Sequence, residues 1–312
     1  MRIAVVDIGT NSTRLLVADV DPAAGTVREL ERRSTVTRLG AGLEASGRLS
    51  EEAMARVFAT LDAYREAIDA VGDVDRRCAV LTSAARDAAN GPEFTARVRE
   101  EYGLDARTIA GGEEARLSFL GATSARSALP GEQLVVLDIG GGSTEFIIGQ
   151  GRTVAFNVST QAGVVRHSER HIHHDPPLPA ELDALAGDVR ATFEDAVPAD
   201  LRAQVTAMVA VAGTATSMAA IDQELEPYDP EKVDGYRLTL DACERISRRL
   251  AGMTDAERRR VPGLDPQRAP TIVAGSLFLI EALRAFGLDA ADVSEHDILH
   301  GVALDVAGAA RA

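Results

Sequence analysis

Asp7-Ile8-Gly9-Thr10-Asn11-Ser12-Thr13-Arg14 follows the β-branched run Ile3–Val6 and leads into a second apolar run, Leu15–Val20. A strand that ends in Asp and turns through Gly, Ser and Thr is suited to an oxyanion. Glycine lets backbone amides approach without a Cβ in the way, successive amides form a nest, and the hydroxyls add donors. The Asp itself repels a phosphate, so its use is to hold a divalent cation, directly or through water, against phosphate oxygens. The pattern returns 131 residues downstream of Asp7, where Leu134–Leu137 runs into Asp138-Ile139-Gly140-Gly141-Gly142-Ser143-Thr144-Glu145. Asp, Ile, Gly, Ser and Thr recur in register, which reads as a duplicated hairpin. One such turn is equally an ordinary tight turn with a capping Asp; two copies can grip a phosphate chain from opposite sides. Just after the turn the sign changes, Arg14 in the first copy and Glu145 in the second. That divides the labour between a direct phosphate cation and a second metal carboxylate.

Glu113 and Glu114 follow Gly111-Gly112 and open a helix, where acids suit the dipole, and either can serve as general base for a water nucleophile. Arg38 in Thr-Arg-Leu-Gly and Arg86 in Thr-Ser-Ala-Ala-Arg-Asp are surface arginines or phosphate ligands. Three other patterns are set aside. Gly40-Ala-Gly42-Leu-Glu-Ala45 imitates a dinucleotide fingerprint, but the next helix is expected to open only at about Ser50, too late for its N-terminus to meet a pyrophosphate. His167, His171, His173 and His174 crowd near Glu169 and Asp175, and His171-x-His173 could chelate a transition metal. With no Cys nearby and a Pro-Pro turn following, the stretch reads as a hydrated connection. His296 and His300 stand four apart on an expected helix, with Asp297 where a zinc protease has glutamate.

The elements that must carry these residues follow from periodicity. Val27–Thr37 is a third strand after an Asp21–Gly25 turn, and Ser50 caps a helix whose apolar face is Met54, Val57, Phe58, Leu61, Tyr64 and Ile68. Cys78–Thr82 is a strand; Pro92–Tyr102 and Glu113–Ala125 are helices. After the second hairpin, Val205–Val211 is a strand running into Gly213-Thr214 and a helix, and Leu240–Leu250, Ala269–Phe286 and His296–Ala307 are helical. Residues 199–207 and 227–236 read as connections. The chain has 312 residues, which suggests two domains, and 46% hydrophobic with 26% charged residues excludes a disordered or collagen-like chain. Net charge is −15, against a general nucleic-acid binder, so a polyanion would need arginines concentrated in one groove. Lys232 is the only lysine, and no Gly-Lys pair exists for a P-loop. Cys78 and Cys243 are too few for a disulfide framework or a Cys-based zinc site. Without a signal-like N-terminus or an apolar run of about 18 residues, a cytoplasmic protein with no membrane partner is expected.

AVVDIGTNSTRLLVADV, VTRLGAGL, LTSAARDA, GGEEARLSFLGA, VVLDIGGGSTEFIIG, VAVAGTATSMAA and SEHDILHGVAL resemble, in order, the signature segments of the exopolyphosphatase and guanosine pentaphosphate phosphatase family. The resemblance implies an α/β chain of two ribonuclease-H-like domains of the actin-like ATPase and sugar-kinase superfamily with an interdomain cleft. The first would span residues 1–127, with a terminal helix at about 297–312 packing back on it, and the second 128–296. It implies hydrolysis of a terminal phosphoanhydride with Mg²⁺, or Mn²⁺ in its place, on inorganic polyphosphate or guanosine pentaphosphate, by a homodimer. Carried over by motif, the general base falls on Glu114, with Glu113 as the fallback and Arg86 beside it. The metal carboxylates fall on Asp138 and Glu145. Phosphate ligands fall on Asn11, Ser12, Arg14, Arg86, Gly141, Gly142 and Ser143, and Gly213 and Thr214 match a third glycine motif. Thr10, Gly140 and Thr144 of the same turns are further candidate ligands, and Arg38 and Arg166 are candidates because an acidic chain must concentrate arginines to bind a polyanion. Of the arginines, Arg14 and Arg86 would touch the terminal phosphates, and Arg38 and Arg166 would matter more as the chain lengthens. The competing readings are a non-hydrolytic nucleotide sensor or actin-like assembly protein, against which Glu114 argues, and a sugar or acid kinase.

Overall fold

The computed structural model describes all residues except 22, 127–130, 152 and 310–312. The chain divides into two compact units, Met1–Arg126 with Ile298–Ala312, and Ser127–Asp297. The expected boundary at 127/128, Pro22 of the expected turn and the end of the expected terminal helix lie outside the described residues.

The first unit runs β1 (Arg2–Ile8), β2 (Ser12–Asp21), β3 (Thr26–Val36), α1 (Leu43–Ser46), α2 (Glu51–Val71), β4 (Arg76–Leu81), α3 (Ser83–Asp87), α4 (Gly91–Tyr102), β5 (Asp105–Thr108) and α5 (Gly111–Ala122). Its sheet has the order β3-β2-β1-β4-β5, antiparallel across β1–β3 and parallel across β1, β4 and β5, which is the ribonuclease-H-like arrangement. β1 is apolar at almost every position because both its faces are covered. Ala4, Val6 and Ile8 face the α2 side with Met54, Val57, Leu61 and Tyr64, whereas Ile3 and Val5 join Leu117 of α5 in a second cluster. α2 starts where its sequence directs: the Ser50 Oγ accepts the Ala53 N–H at 3.2 Å, and Glu51 and Glu52 lie in the first turn.

The second unit runs β6 (Leu134–Ile139), β7 (Thr144–Gln150), β8 (Thr153–Thr160), α6 (Val164–His171), α7 (Pro179–Ala196), α8 (Ala199–Arg202), β9 (Ala207–Val211), α9 (Ala212–Asp222), α10 (Pro230–Val233), β10 (Arg237–Thr239), α11 (Leu240–Ala251), α12 (Asp255–Arg258), a 3₁₀ turn (Pro266–Arg268), α13 (Ile272–Phe286) and β11 (Ala290–Val293). Its sheet order β10-β11-β9-β6-β7-β8 repeats the first sheet with one extra edge strand. The repeat extends to fine detail. Asp7 opposes Arg14 as Asp138 opposes Glu145, the Gly9 and Gly140 N–H groups donate to the Ser12 and Ser143 carbonyls at 2.9 Å, and the register shifts after Val17 and again after Ile148. The last element, α14 (Ile298–Ala309), belongs to the first unit and buries Leu299, Val302 and Ala303 in the cluster with Ile3 and Val5. Among the described residues no helix is long and apolar enough to cross a membrane.

Several expectations change. A one-turn helix, α1, does open directly after Gly42, too short to present an N-terminus to a pyrophosphate. The expected connections 199–207 and 227–236 contain the one-turn helices α8 and α10. α14 begins at Ile298, so His296 precedes it and does not share a helix with His300. His300 is instead buried, its Nε2 2.9 Å from Glu29 Oε1.

Candidate active site

In the first unit β1 and β4 are parallel neighbours with Ile8 level with Leu81. The turn after β1 and the segment after β4 therefore emerge together at the carboxyl ends of the strands, where open α/β sheets bind ligands. Thr10 Oγ1 lies 2.7 Å from Ser83 Oγ and ties the turn to α3. One turn along α3, the Arg86 Nη1 donates to Glu114 Oε2 and to the Ile109 carbonyl, both at 3.0 Å. Glu114 sits in the first turn of α5 with its side chain 24% exposed, wet enough to meet a water yet held by a guanidinium. Its neighbour Glu113 accepts from Arg107 instead. The two glutamates are thus separated by their partners, and only Glu114 shares an arginine with the Thr10–Ser83 corner.

Arg14 has a different place from the expected one. Its Nε and Nη2 both donate to Asp7 Oδ2, at 2.9 and 2.6 Å, and Asp7 is 2% exposed. A carboxylate buried to that degree requires a paired cation, so Arg14 is the counter-ion of Asp7, a partner the sequence does not announce.

The carbonyls of the first tip are committed sideways: the Asn11 carbonyl accepts from Thr37 and Arg38 N–H at 3.0 and 2.8 Å, and the Thr10 carbonyl from Gly40 N–H at 2.9 Å. In a trans peptide the carbonyl and the following N–H point oppositely. The amides of Asn11 and Ser12 therefore face away from that segment, free of the strand ladder and available to an anion nest.

The second unit reaches the same result by another device. Val164 and Val165 N–H, from the first turn of α6, donate to the Gly140 and Gly141 carbonyls at 3.0 and 2.9 Å. The amides of Gly141 and Gly142 are turned the other way by the same peptide geometry. Gly163, preceding α6, lies so close to the Gly141–Gly142 backbone that a Cβ would collide with it. Arg166, one residue after Val165, has its N–H 3.5 Å from the Gly141 carbonyl. Arg38 and Arg166 thus have their main chains at the two turns. Asp138 and Glu145, half-buried, face the same side of the hairpin as directly opposed residues, and the Ser159 Oγ donates to Glu145 Oε1 at 2.6 Å. Thr144 is fully buried and donates to the Ala162 carbonyl at 2.7 Å, a packing role rather than a ligand's.

Beside this hairpin, Val211 of β9 is level with Asp138. α9 opens directly at Ala212, at φ 64°, and Gly213, with Thr214 buried in its first turn. The Arg268 guanidinium occupies the space that a Cβ on Gly213 would need. Arg268 is exposed, and no pattern in the sequence marks it, because its approach is made by the 3₁₀ turn at Pro266–Arg268.

The histidine stretch is the expected hydrated connection only at His173 and His174, which are exposed between α6 and α7. His167 and His171 lie on α6; His167 is 2% exposed, packs edge-on against Phe278 at 5.1 Å between ring centres, and has Nδ1 3.1 Å from the Gly163 carbonyl. Burial holds its ring below the usual imidazole range. Asp188 takes His171 Nε2 at 2.8 Å and Arg170 at 3.2 Å. Among the described residues no group of three His, Cys, Asp or Glu is arranged to hold a metal.

The profile of the Ppx/GppA phosphatase family matches residues 16–309. Exopolyphosphatase 2 of Mycobacterium tuberculosis is 38% identical over 321 residues, covering 98% of this chain and 99% of that protein. A crystal structure of the Aquifex aeolicus member of the Ppx/GppA family superposes with a TM-score of 0.85 at 30% identity, covering 100% of this chain and 99% of that one. A crystal structure of an exopolyphosphatase from Cytophaga hutchinsonii does so with a TM-score of 0.84 at 27% identity, covering 99% and 98%. A family match from residue 16 through the second hairpin, the Glu114 helix and α14, with a relative 38% identical over 98% of the chain, leaves one assignment: the chain belongs to the Ppx/GppA phosphatase family.

Proposed function

We propose that the protein is an exopolyphosphatase: it hydrolyses the terminal phosphoanhydride of inorganic polyphosphate and releases orthophosphate. The observation that carries the chemistry is the Glu114–Arg86 pair, a half-buried carboxylate held at the ligand-binding end of the first sheet. A protein that only bound nucleotides would have no use for a water-activating carboxylate there. The relatives named exopolyphosphatase set the substrate.

Mg²⁺ takes one or two carboxylates and completes its octahedron with waters and phosphate oxygens rather than with a protein cage. Two directly opposed carboxylates, Asp138 and Glu145, with no third protein ligand grouped among the described residues, fit that demand, and Mn²⁺ accepts the same oxygen donors. When bound, the cation neutralises charge on the phosphoryl oxygens. Glu114 orients a water and takes its proton as the water oxygen bonds to the terminal phosphorus; the bridging P–O bond breaks and the shortened chain leaves with its electron pair. Arg86 and the outward amides of Asn11 and Ser12 stabilise the charge on the transferring group.

The deciding experiment is a substrate panel. Orthophosphate release from long polyphosphate should exceed that from guanosine pentaphosphate by about tenfold or more in kcat/KM. The opposite order would make the protein a pentaphosphate 5′-phosphohydrolase, and ATP-dependent transfer to a sugar would make it a kinase.

Arg86→Ala should impair tripolyphosphate and long polyphosphate alike. Because Arg38 and Arg166 are rooted at the two turns, Arg38→Ala and Arg166→Ala should also raise KM for tripolyphosphate, by about three- to tenfold, and should flatten its dependence on salt. A KM for tripolyphosphate unchanged in both variants would return these arginines to the distal part of the chain.

A further inference from the structure

The segment that fixes the first phosphate turn, Thr37–Gly40, lies between β3 and α1 and belongs to neither. It nevertheless holds Arg38 at φ 49°, in the left-handed region that a residue with a Cβ rarely adopts. Such a conformation persists only where the surroundings over-determine it. Three contacts do so here. Leu39 is fully buried in the core, the Thr37 and Arg38 N–H groups share the Asn11 carbonyl, and Arg56 of α2 reaches across with Nε to the Thr37 carbonyl at 2.7 Å and Nη2 to the Arg38 carbonyl at 3.2 Å. Those two carbonyls belong to the peptide planes on either side of Arg38. The φ and ψ of Arg38 are the rotations between these planes, so one guanidinium fork sets both.

We propose that Arg56 is a positioning residue of the phosphate site. By holding the planes around Arg38 it keeps Thr37–Gly40 in place, and that segment in turn keeps the Asn11 and Ser12 amides directed toward a phosphoryl oxyanion. Arg56 itself touches no substrate. The second unit needs no equivalent, because the first turn of α6 supplies the amides that hold its glycine turn. The role calls for arginine: a lysine carries the same charge but offers a single ammonium in place of a planar fork. The inference rests on the reading of the turn as a phosphate site.

The test is Arg56→Lys, made alone, with Arg38→Ala and with Arg38→Gly. Alanine keeps the Cβ that makes the left-handed conformation unfavourable, whereas glycine adopts it freely; both remove the Arg38 guanidinium. Arg56→Lys should raise KM for tripolyphosphate by about fivefold in the wild-type and Arg38→Ala backgrounds, with kcat within about twofold, and by less than about twofold with Arg38→Gly. Amide hydrogen exchange at Thr37–Gly40 and Thr10–Ser12 should quicken in the first two backgrounds and not in the third. Wild-type KM in Arg56→Lys would show that charge alone suffices, and equal losses with alanine and glycine at 38 would show that Arg56 does not act through this backbone; either overturns the proposal. If the wild-type protein released no phosphate from polyphosphate, the substrate reading would fail while the exchange comparison still judged the clamp. Should Arg56→Lys not fold, Arg56→Gln, which can reach only one carbonyl with its amide, serves in the same three backgrounds.

Discussion

Glu114→Gln is expected to lower kcat on polyphosphate by about 10²-fold or more while changing KM by less than about threefold. The amide keeps the length of the side chain and an oxygen that can still accept from Arg86 Nη1, so α3 and α5 stay tied as they are. What is lost is the capacity to take a proton from water. Glu113→Gln provides the internal control, since that carboxylate is engaged with Arg107 on the other side of the helix start and should be worth little in turnover. Loss of activity in Glu113→Gln with activity kept in Glu114→Gln would move the base by one residue.

Asp138→Asn should raise the Mg²⁺ concentration needed for half-maximal activity by about tenfold or more, and exhaustive chelation should silence the wild-type enzyme. A sharper form of the same prediction uses the duplication. Glu145→Arg would copy into the second hairpin the Asp–Arg pair that the first already carries in the same register. The protein should fold, because the first unit tolerates that pair in a buried setting, yet activity should be abolished and should not return at any Mg²⁺ concentration, Asp138 having acquired a fixed counter-ion. Hydrolysis that survives chelation, or a Glu145→Arg enzyme that still responds to Mg²⁺, would remove Asp138 and Glu145 from metal binding.

The hairpins were legible because they combine three local signals: period-two apolar strands, a terminal Asp and a turn of small polar residues, each written within eleven positions and then written again. α2 was legible for a similar reason, with Ser50 as cap and an apolar face at helical spacing. The pairings that decide roles were not. The pairing of Arg14 with Asp7 is not legible because nothing local says that Asp7 is buried, and burial is what calls for the guanidinium. Arg86 finds Glu114 across 28 residues through the adjacency of β4 and β5, and Arg268 reaches Gly213 through a 3₁₀ turn. His167 was misread for the opposite reason: a string of polar and charged residues suggested solvent, whereas α6 turns that one ring inward against Phe278 while its neighbours stay out. α7 escaped as well; Leu182, Leu185, Val189 and Phe193 lie at helical spacing, but alanines and acids dilute the stripe that α13 packs against.

The membership of α14 in the first unit has a consequence for how the protein is made. β1 and β2 leave the ribosome first, and Ile3, Val5, Leu16 and Ala18 then wait for the helix that covers them, which emerges only after the whole of the second unit has been synthesised. During that interval the nascent first unit can close one face of its sheet with α2, while the other has only α5 with Leu117 in place of the full α5–α14 cover and leaves apolar surface of the kind that holding chaperones recognise and that aggregates when left unattended. The second unit, contiguous in sequence, can complete itself co-translationally. Translation that stops short of residue 298 should therefore yield a product whose later half is sound and whose earlier half is insoluble, the reverse of the usual order in which the N-terminal domain matures first.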